Sequence, residues 1–361
     1  MIRGRRKRRL VGDMTNKVTM QEIADALGIS RVTVWKVFHN YENVSAGLRS
    51  NVWDKAMELG YVKGGREAER SRQEKEKKKE KERNVSAIVA RPDSAAFSMK
   101  IIHSLAQELS LYNINLMYTY MPSSYSDEYR MPQMLYNNMV QGAVVLNIYD
   151  KRLTEGINGL NLPKVFVDVT RQINPRELSG DLLLLEGWDT MRQITESLVD
   201  RGMTKIGFIG DIGQARTVRD RYEGFCRCMR ERGLPVEEAF CLTRIQEIFS
   251  CEEEIGVFLD ALTVLPEAFV CASDFIAHCL QLYFSRHRER VPEGIVVTGY
   301  DDSDEFTDVS GLLTTASVET EFLGKRIAKQ IIYRMESGDA PYETIYVRPS
   351  VIYRDSILCG A

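Results

Sequence analysis

VTMQEIADALGISRVTVWKVFHN, residues 18–40, is the stretch whose reading decides the architecture of the N-terminal part. Thr19 followed three residues later by Glu22 is a capping box, T-x-x-E, in which each side chain satisfies a backbone donor of the other. Ile23, Ala24 and Leu27 then fall on one helical face. Gly28 takes the turn, where a left-handed backbone meets no steric penalty at glycine. Ile29 closes the corner, and Ser30 is a good N-cap for a second helix over residues 31–39. In that helix Val34, Val37 and Phe38 face inward; Arg31, Val32, Trp35 and Lys36 face outward. A third helix is predicted from after Ser45 to Leu59, with Leu48, Val52 and Ala56 on its core side and Gly60 as its stop. Two short helices joined by a tight turn, the second with a polar, cationic outer face, form the arrangement that lays a helix in the major groove of duplex DNA.

Charge is distributed to match. Residues 1–83 carry 21 Lys+Arg against 12 Asp+Glu, and the remainder 27 against 39, so a head of net +9 precedes a body of net −12. A basic head meets phosphates and an acidic body avoids them. The 361 residues allow two or three domains with a sizeable core. No apolar run is long enough to cross a bilayer, and the basic start MIRGRRKRRLVG is not followed by the apolar segment of a signal peptide. A cytoplasmic protein without membrane partners is expected. Seven cysteines form no C-x-x-C pair and are odd in number. Free buried thiols in a reducing compartment are expected, with a redox pair at Cys226 and Cys228 as the alternative. The four histidines are scattered and make no metal site, and no cofactor is implied.

From Asn84 onward strands alternate with helices. VSAIVA, INLMYTY, VQGAVVLNI, LPKVFVDV, KIGFIG, AFVCAS and GIVVTGY are strand candidates, most separated by helix-length segments; residues 97–112 are amphipathic. Continuous apolar strands between helices indicate parallel sheets covered on both faces. Such sheets bind ligands at the carboxyl ends of their strands. The loops after Ala90, Ile148, Asp168, Gly210, Ser273 and Tyr300 are therefore where a site is sought.

The run from Val18 to Tyr61 resembles the DNA-binding head of the lac repressor (LacI/GalR) family. The matching residues are Val18, Thr19, Ile23, Ala24, Gly28, Ser30, Thr33, Val34, Val37, Val44, Ser45, Arg49, Leu59, Gly60 and Tyr61. The resemblance implies that Arg31, Val32 and Lys36 read bases and that Ser30, Thr33 and Ser45 contact phosphates. Thr19, Trp35, His39 and Arg49 complete the candidate DNA-contacting set. Trp35 stands where the family has a small Ser, and two readings are open: its ring presses on the sugar-phosphate backbone, or packs on the third helix. In the body, RYEGFCRCMRERGLP from Arg221, FVCASDFIAHC, VPEGIVVTGYDD and RPSVIYRDSI match segments of the family's core. That core has the periplasmic-binding-protein fold, two lobes around a ligand cleft. By resemblance Arg221 and Asp274 hydrogen-bond a polar effector, Phe97 lies against it, and Phe249 stacks from the other lobe. The plainer readings are a surface ion pair for Arg221, a helix cap for Asp274 and core packing for Phe97.

Some residues depart from the family pattern. Lys63 and Gly64 replace the usual Pro-Asn, and no leucine follows to wedge the minor groove. Residues 66–83 carry nine basic and six acidic side chains and no large apolar one, which reads as a mobile tether or a solvated helix held by i, i+4 ion pairs. His39 replaces Asn, Leu48 replaces Thr, Leu183 and Leu184 replace Asp-Asn, and Met203 replaces His. The basic tail has two readings: an arm that reaches DNA, or a segment upstream of translation from Met14.

The expected architecture is therefore α/β: an all-α helix-turn-helix head followed by a two-lobed periplasmic-binding-protein-like core with parallel sheets. The divisions are a basic extension (1–17), a head (18–63), a charged linker (64–83) and a core (84–361). Within the core, one lobe takes about 84–183 and 318–340, and the other about 184–317 and 341–361. The resemblance implies a repressor that binds double-stranded operator DNA as a homodimer under control of a small polar effector, a sugar or a derivative. Two alternatives differ in class. The core answers to a partner protein, or it is an enzyme fused to the head. The sequence has neither G-x-x-x-x-G-K-[ST] nor G-x-S-x-G to support the enzyme.

Overall fold

Helix α1 (Met20–Leu27) begins at the capping box: Thr19 N–H donates to Glu22 Oε2 at 2.6 Å and Glu22 N–H to Thr19 Oγ1 at 3.4 Å. Gly28 takes the left-handed turn at φ +64°. Ser30 Oγ accepts Thr33 N–H at 3.1 Å to start α2 (Arg31–Phe38), and Ser45 Oγ accepts Leu48 N–H at 3.4 Å to start α3 (Ala46–Glu58). Ile23, Ala24, Val34, Val37, Val52 and Ala56 form the buried core of this three-helix head. Phe38 seals it against Trp53 and Tyr61, at ring-centroid distances of 4.7 and 5.4 Å.

This computed structural model describes residues 18–39, 41, 44–61, 83–90, 95–245 and 251–356. The chain divides into two units, 1–81 and 82–361. The basic extension, residues 64–82 of the linker and Phe249 lie outside the described residues. Arg83, assigned above to the linker, is instead the first residue of a strand.

The second unit opens with β1 (Arg83–Val89), α4 (Ala95–Ser110), β2 (Ile114–Tyr120), β3 (Gly142–Leu146), α5 (Lys151–Asn158), β4 (Lys164–Val167) and β5 (Asp181–Leu185). There follow α6 (Trp188–Asp200), β6 (Ile206–Ile209), α7 (Arg216–Glu231), β7 (Cys241–Leu242), α8 (Cys251–Ala261), β8 (Ala268–Cys271), α9 (Asp274–Arg286) and β9 (Val296–Thr298). The chain ends in β10 (Thr315–Ser317), α10 (Thr320–Glu336), β11 (Thr344–Val347) and β12 (Ser350–Ile352). One parallel sheet has the order β11-β5-β4-β3-β1-β2 and the other β7-β6-β8-β9, so each lobe has its own sheet. Strand GAVVL of β3 is buried at every position, as a strand covered on both faces requires.

The closing segment differs from the expectation that residues 341–361 belong to the second lobe. Strand β11 pairs with β5, Thr344 beside Leu182, and so extends the first sheet; β12 then pairs antiparallel with β10. A buried ion pair explains the detour. Asp181, at the start of β5, receives Arg334 of α10 through Nη2 at 2.6 Å and Nε at 3.0 Å. Asp181 also accepts Gln330 Nε2 at 2.7 Å and Glu343 N–H at 2.8 Å, while Arg334 holds Ala340 O and Pro341 O. The turn into β11 is thereby fixed to the first lobe.

Lys164, at the start of β4, is buried with Nζ donating to Leu160 O at 2.6 Å and Leu162 O at 3.2 Å. Burial pulls its amine down to about 8. The charged amine therefore opposes folding fully below pH 8, and this penalty disappears as pH rises through the unfolded value near 10.5. Relative to Lys164→Met, the wild type should gain about 3 kcal/mol of stability between pH 7 and high pH. Urea unfolding of both chains across that range reads it, and parallel pH profiles would contradict it.

Candidate functional site: ligand cleft and nucleic-acid interface

A cleft of about 200 Å³ opens at the carboxyl ends of the strands, with walls from both lobes. From the first lobe, Phe97 and Ser98 come from the start of α4, Asn147 from the end of β3 and Asp168 from the end of β4. From the second come Asp211 and Gln214 after β6, Thr217 and Arg221 on α7, Ser273 and Phe275 after β8, and Asp301 beyond β9. Three of these, Asn147, Asp168 and Asp301, have positive φ of 56°, 61° and 117°. Asn and Asp tolerate this region better than other side chains, and such strain collects at functional sites.

Arg221 is the centre of the site. Only 6% of it is exposed. Its Nη1 donates to Ala272 O at 2.6 Å, and the guanidinium lies 3.5 Å over the Tyr300 ring, whose hydroxyl is fixed to Glu186 O at 2.7 Å. Arg221 Nε is buried and makes no hydrogen bond among the described residues. A buried donor left unsatisfied costs about 1–3 kcal/mol.

Asp168 interacts with that cation. Asp168 Oδ2 accepts Thr217 Oγ1 at 2.5 Å and its Oδ1 accepts Val169 N–H at 2.8 Å. Burial nevertheless pushes the Asp168 carboxyl above its ordinary range, against the pull of those bonds and of Arg221. Burial also raises Asp211, and burial followed by the neighbouring Glu223 pushes Asp220 up to about 6. The lobes touch beside the cleft, where Arg216 N–H donates to Val169 O at 3.0 Å and Thr170 bridges Ala215. Lys100 and Asp304 meet across another edge at 2.6 Å.

Phe97 and Arg221 thus lie on the cleft, whereas Asp274 does not. Its carboxylate turns inward, Oδ2 accepting Ser303 N–H at 2.7 Å and Oδ1 accepting Thr315 Oγ1 at 2.8 Å. It is 3% exposed and braces the loop after β9; Ser273, not Asp274, caps α9. Asn147, Asp168, Asp211 and Thr217 were not singled out by the sequence reading. The strand-end rule names the loop bearing Asp211, whereas Asn147 and Asp168 fall inside the expected strands because β3 and β4 end earlier, at Leu146 and Val167.

On the head, α2 presents Val32, 60% exposed, between Arg31 and Lys36. Ser30 and Thr33 share a 2.8 Å hydroxyl hydrogen bond, and the Thr19 and Ser45 hydroxyls serve as N-caps. Trp35 stacks on His39, with ring centroids 4.2 Å apart, and lies 5.4 Å from Tyr41. The aromatic ring that packs on α3 is therefore Phe38, against Trp53. Arg49 turns into the head, its Nη2 donating to Tyr41 O at 2.7 Å and Val44 O at 3.1 Å.

Among the described residues no group of His, Cys, Asp and Glu converges as a metal site, and no helix is long and apolar enough to cross a membrane. Six free cysteines are described, four of them buried; burial pushes the Cys228 and Cys241 thiols up to about 11.

A periplasmic binding protein-like domain matches residues 195–357 and a homeodomain-like domain matches residues 1–49. The HTH-type transcriptional repressor PurR of Actinobacillus pleuropneumoniae is 25% identical over 346 residues, 94% of this chain and 98% of that protein. The chain resembles the lac repressor (LacI/GalR) family. Two solved structures share the fold across this chain. A transcriptional regulator CelR–cellobiose complex superposes with a TM-score of 0.66 at 19% identity, covering 94% of this chain and 99% of that one. A lac repressor dimer bound to operator and the anti-inducer ONPF gives 0.62 at 18%, covering 95% and 100%. The protein is a DNA-binding transcriptional regulator of the repressor type, with a periplasmic-binding-protein-like core.

Proposed function

We propose that this regulator represses transcription as a cytoplasmic homodimer on an approximately palindromic operator, and that a small hydroxyl-rich ligand, a sugar or a derivative, controls it from the cleft. The observation that carries the ligand reading is Arg221, a guanidinium in the wall of a cavity whose other charged lining residues are Asp168, Asp211 and Asp301. One cation among three carboxylates suits an uncharged molecule that both donates and accepts hydrogen bonds, and repels phosphorylated or acidic ones. The cellobiose in the CelR complex supports a carbohydrate. Ligand binding that favours one pose of the two lobes shifts the population of DNA-competent dimers.

Titration calorimetry of the full-length protein tests this with neutral mono- and disaccharides, their phosphates, and free nucleobases. Heat from a neutral sugar and none from its phosphate is the expected result. A nucleobase as the sole binder overturns the carbohydrate reading. A silent panel, with capture of a phosphocarrier protein instead, overturns the metabolite reading as a whole.

On DNA, Arg31, Val32 and Lys36 of α2 are assigned the base edges, and Ser30, Thr33 and Ser45 the phosphates. Lys36→Ala is expected to weaken binding to the preferred site by roughly 1–3 kcal/mol and relax the preference at one base pair of each half-site. Selection from random duplexes measures it; an unchanged sequence preference removes Lys36 from base reading.

A further inference from the structure

We propose that His39 is a proton-linked DNA contact, so that binding takes up a proton at this residue and operator affinity rises as pH falls. The inference rests on the reading that α2 lies in the groove, and it concerns the ring pair that this chain builds there. His39, at the C-cap of α2, is exposed on the side that also carries Val32, Trp35 and Lys36, opposite the buried Val34 and Val37.

Two observations fix its chemistry. His39 Nδ1 sits 2.9 Å from Trp35 O. A backbone carbonyl only accepts, so Nδ1 carries the hydrogen and the neutral ring leaves Nε2 as a bare acceptor. A DNA phosphate is also only an acceptor. While Nδ1 keeps its bond to Trp35 O, Nε2 can therefore meet a phosphate only after taking a second proton. The imidazole also lies on the Trp35 indole at 4.2 Å and 26°, a face-on stack whose ring quadrupole favours a cation above it. The pair is arranged for imidazolium.

Lys36 on α2 is a like charge, and so is Arg49 of α3, whose guanidinium reaches Tyr41 O at 2.7 Å. The Tyr41 phenol lies beside Trp35, ring centroids 5.4 Å apart. A phosphate placed beside Nε2 favours the charged ring, which couples proton uptake to DNA binding. An imidazole changes charge between about pH 5 and 8, the range where this coupling is visible.

The test uses the full-length protein and a duplex recovered by selection from random sequence, with affinity read by fluorescence anisotropy at constant ionic strength from pH 5.5 to 8.5. The wild type is expected to bind tighter as pH falls, by up to tenfold per unit, with the slope of log K against log salt steeper by roughly 0.9 at pH 6 than at pH 8. His39→Gln should be weak and nearly flat with pH, and His39→Lys tight and flat. Circular dichroism checks that the head stays helical. A flat wild-type profile overturns the proposal, as does an equal pH slope in wild type and His39→Gln. Failure of selection to recover any preferred duplex would instead overturn the placement of α2 on DNA.

Discussion

Arg221→Met is expected to leave operator binding intact and to weaken the cleft ligand by roughly two orders of magnitude, the ~3 kcal/mol lost when one partner of a buried charge-assisted hydrogen bond is removed. Methionine fills similar volume and still packs on Tyr300, so the fold should survive. What disappears is the cation among the cleft's lining residues and the Nη1 bond to Ala272 O. Asp168 also loses the cation that opposes the effect of its burial, so its carboxyl should move further up. Calorimetry with the ligand found above, paired with a gel shift, separates the two functions. An unchanged ligand affinity would take Arg221 out of the site, and lost DNA binding would mean that the variant misfolds.

The second large effect is structural. Asp181→Ala leaves the Arg334 guanidinium, 2% exposed, without its carboxylate. Breaking a buried pair from one side costs about 3–5 kcal/mol, whereas the double change Asp181→Leu with Arg334→Met should lose far less, since it buries no lone charge. The damage has a predicted location. Hydrogen exchange should quicken first along β11, Thr344–Val347, whose turn hangs on this pair. A single-variant loss under about 1 kcal/mol would mean that the pair is neutral to stability.

The head was legible almost residue by residue, because its signals are local: T-x-x-E, Gly28 in the turn, and Ser30 and Ser45 as caps are each decided within a few residues. The long apolar strands were legible for a similar reason, with GAVVL, IGFI and AFVC inside the expected runs. The short strands β7 and β10 were not, since two or three residues carry no readable period. Strand β11, TIYV, was misassigned because its partner is set by an ion pair from residue 181 to residue 334, which no local pattern announces. The same limit applied in the cleft. Arg221 and Phe97 were found through a sequence pattern. Asp274 matched its pattern equally well, yet Ser303 and Thr315 claim its carboxylate from 29 and 41 residues away. Asp168 reaches the ligand space through its left-handed backbone, which side-chain type alone does not reveal.

That backbone geometry also bears on how a sensor of this kind acquires a new ligand. At Asn147, Asp168 and Asp301 the main chain already holds positive φ, so replacement is confined to glycine and the Asn/Asp pair; a β-branched or bulky residue would first have to rebuild the loop. Phe97, Gln214 and Phe275 line the same space without a positive φ. Selection for a changed specificity should therefore collect substitutions at those three positions. The strand-end carboxylates would persist as inherited hardware, and sensors diverging from this chain would share a polar floor under differently furnished walls.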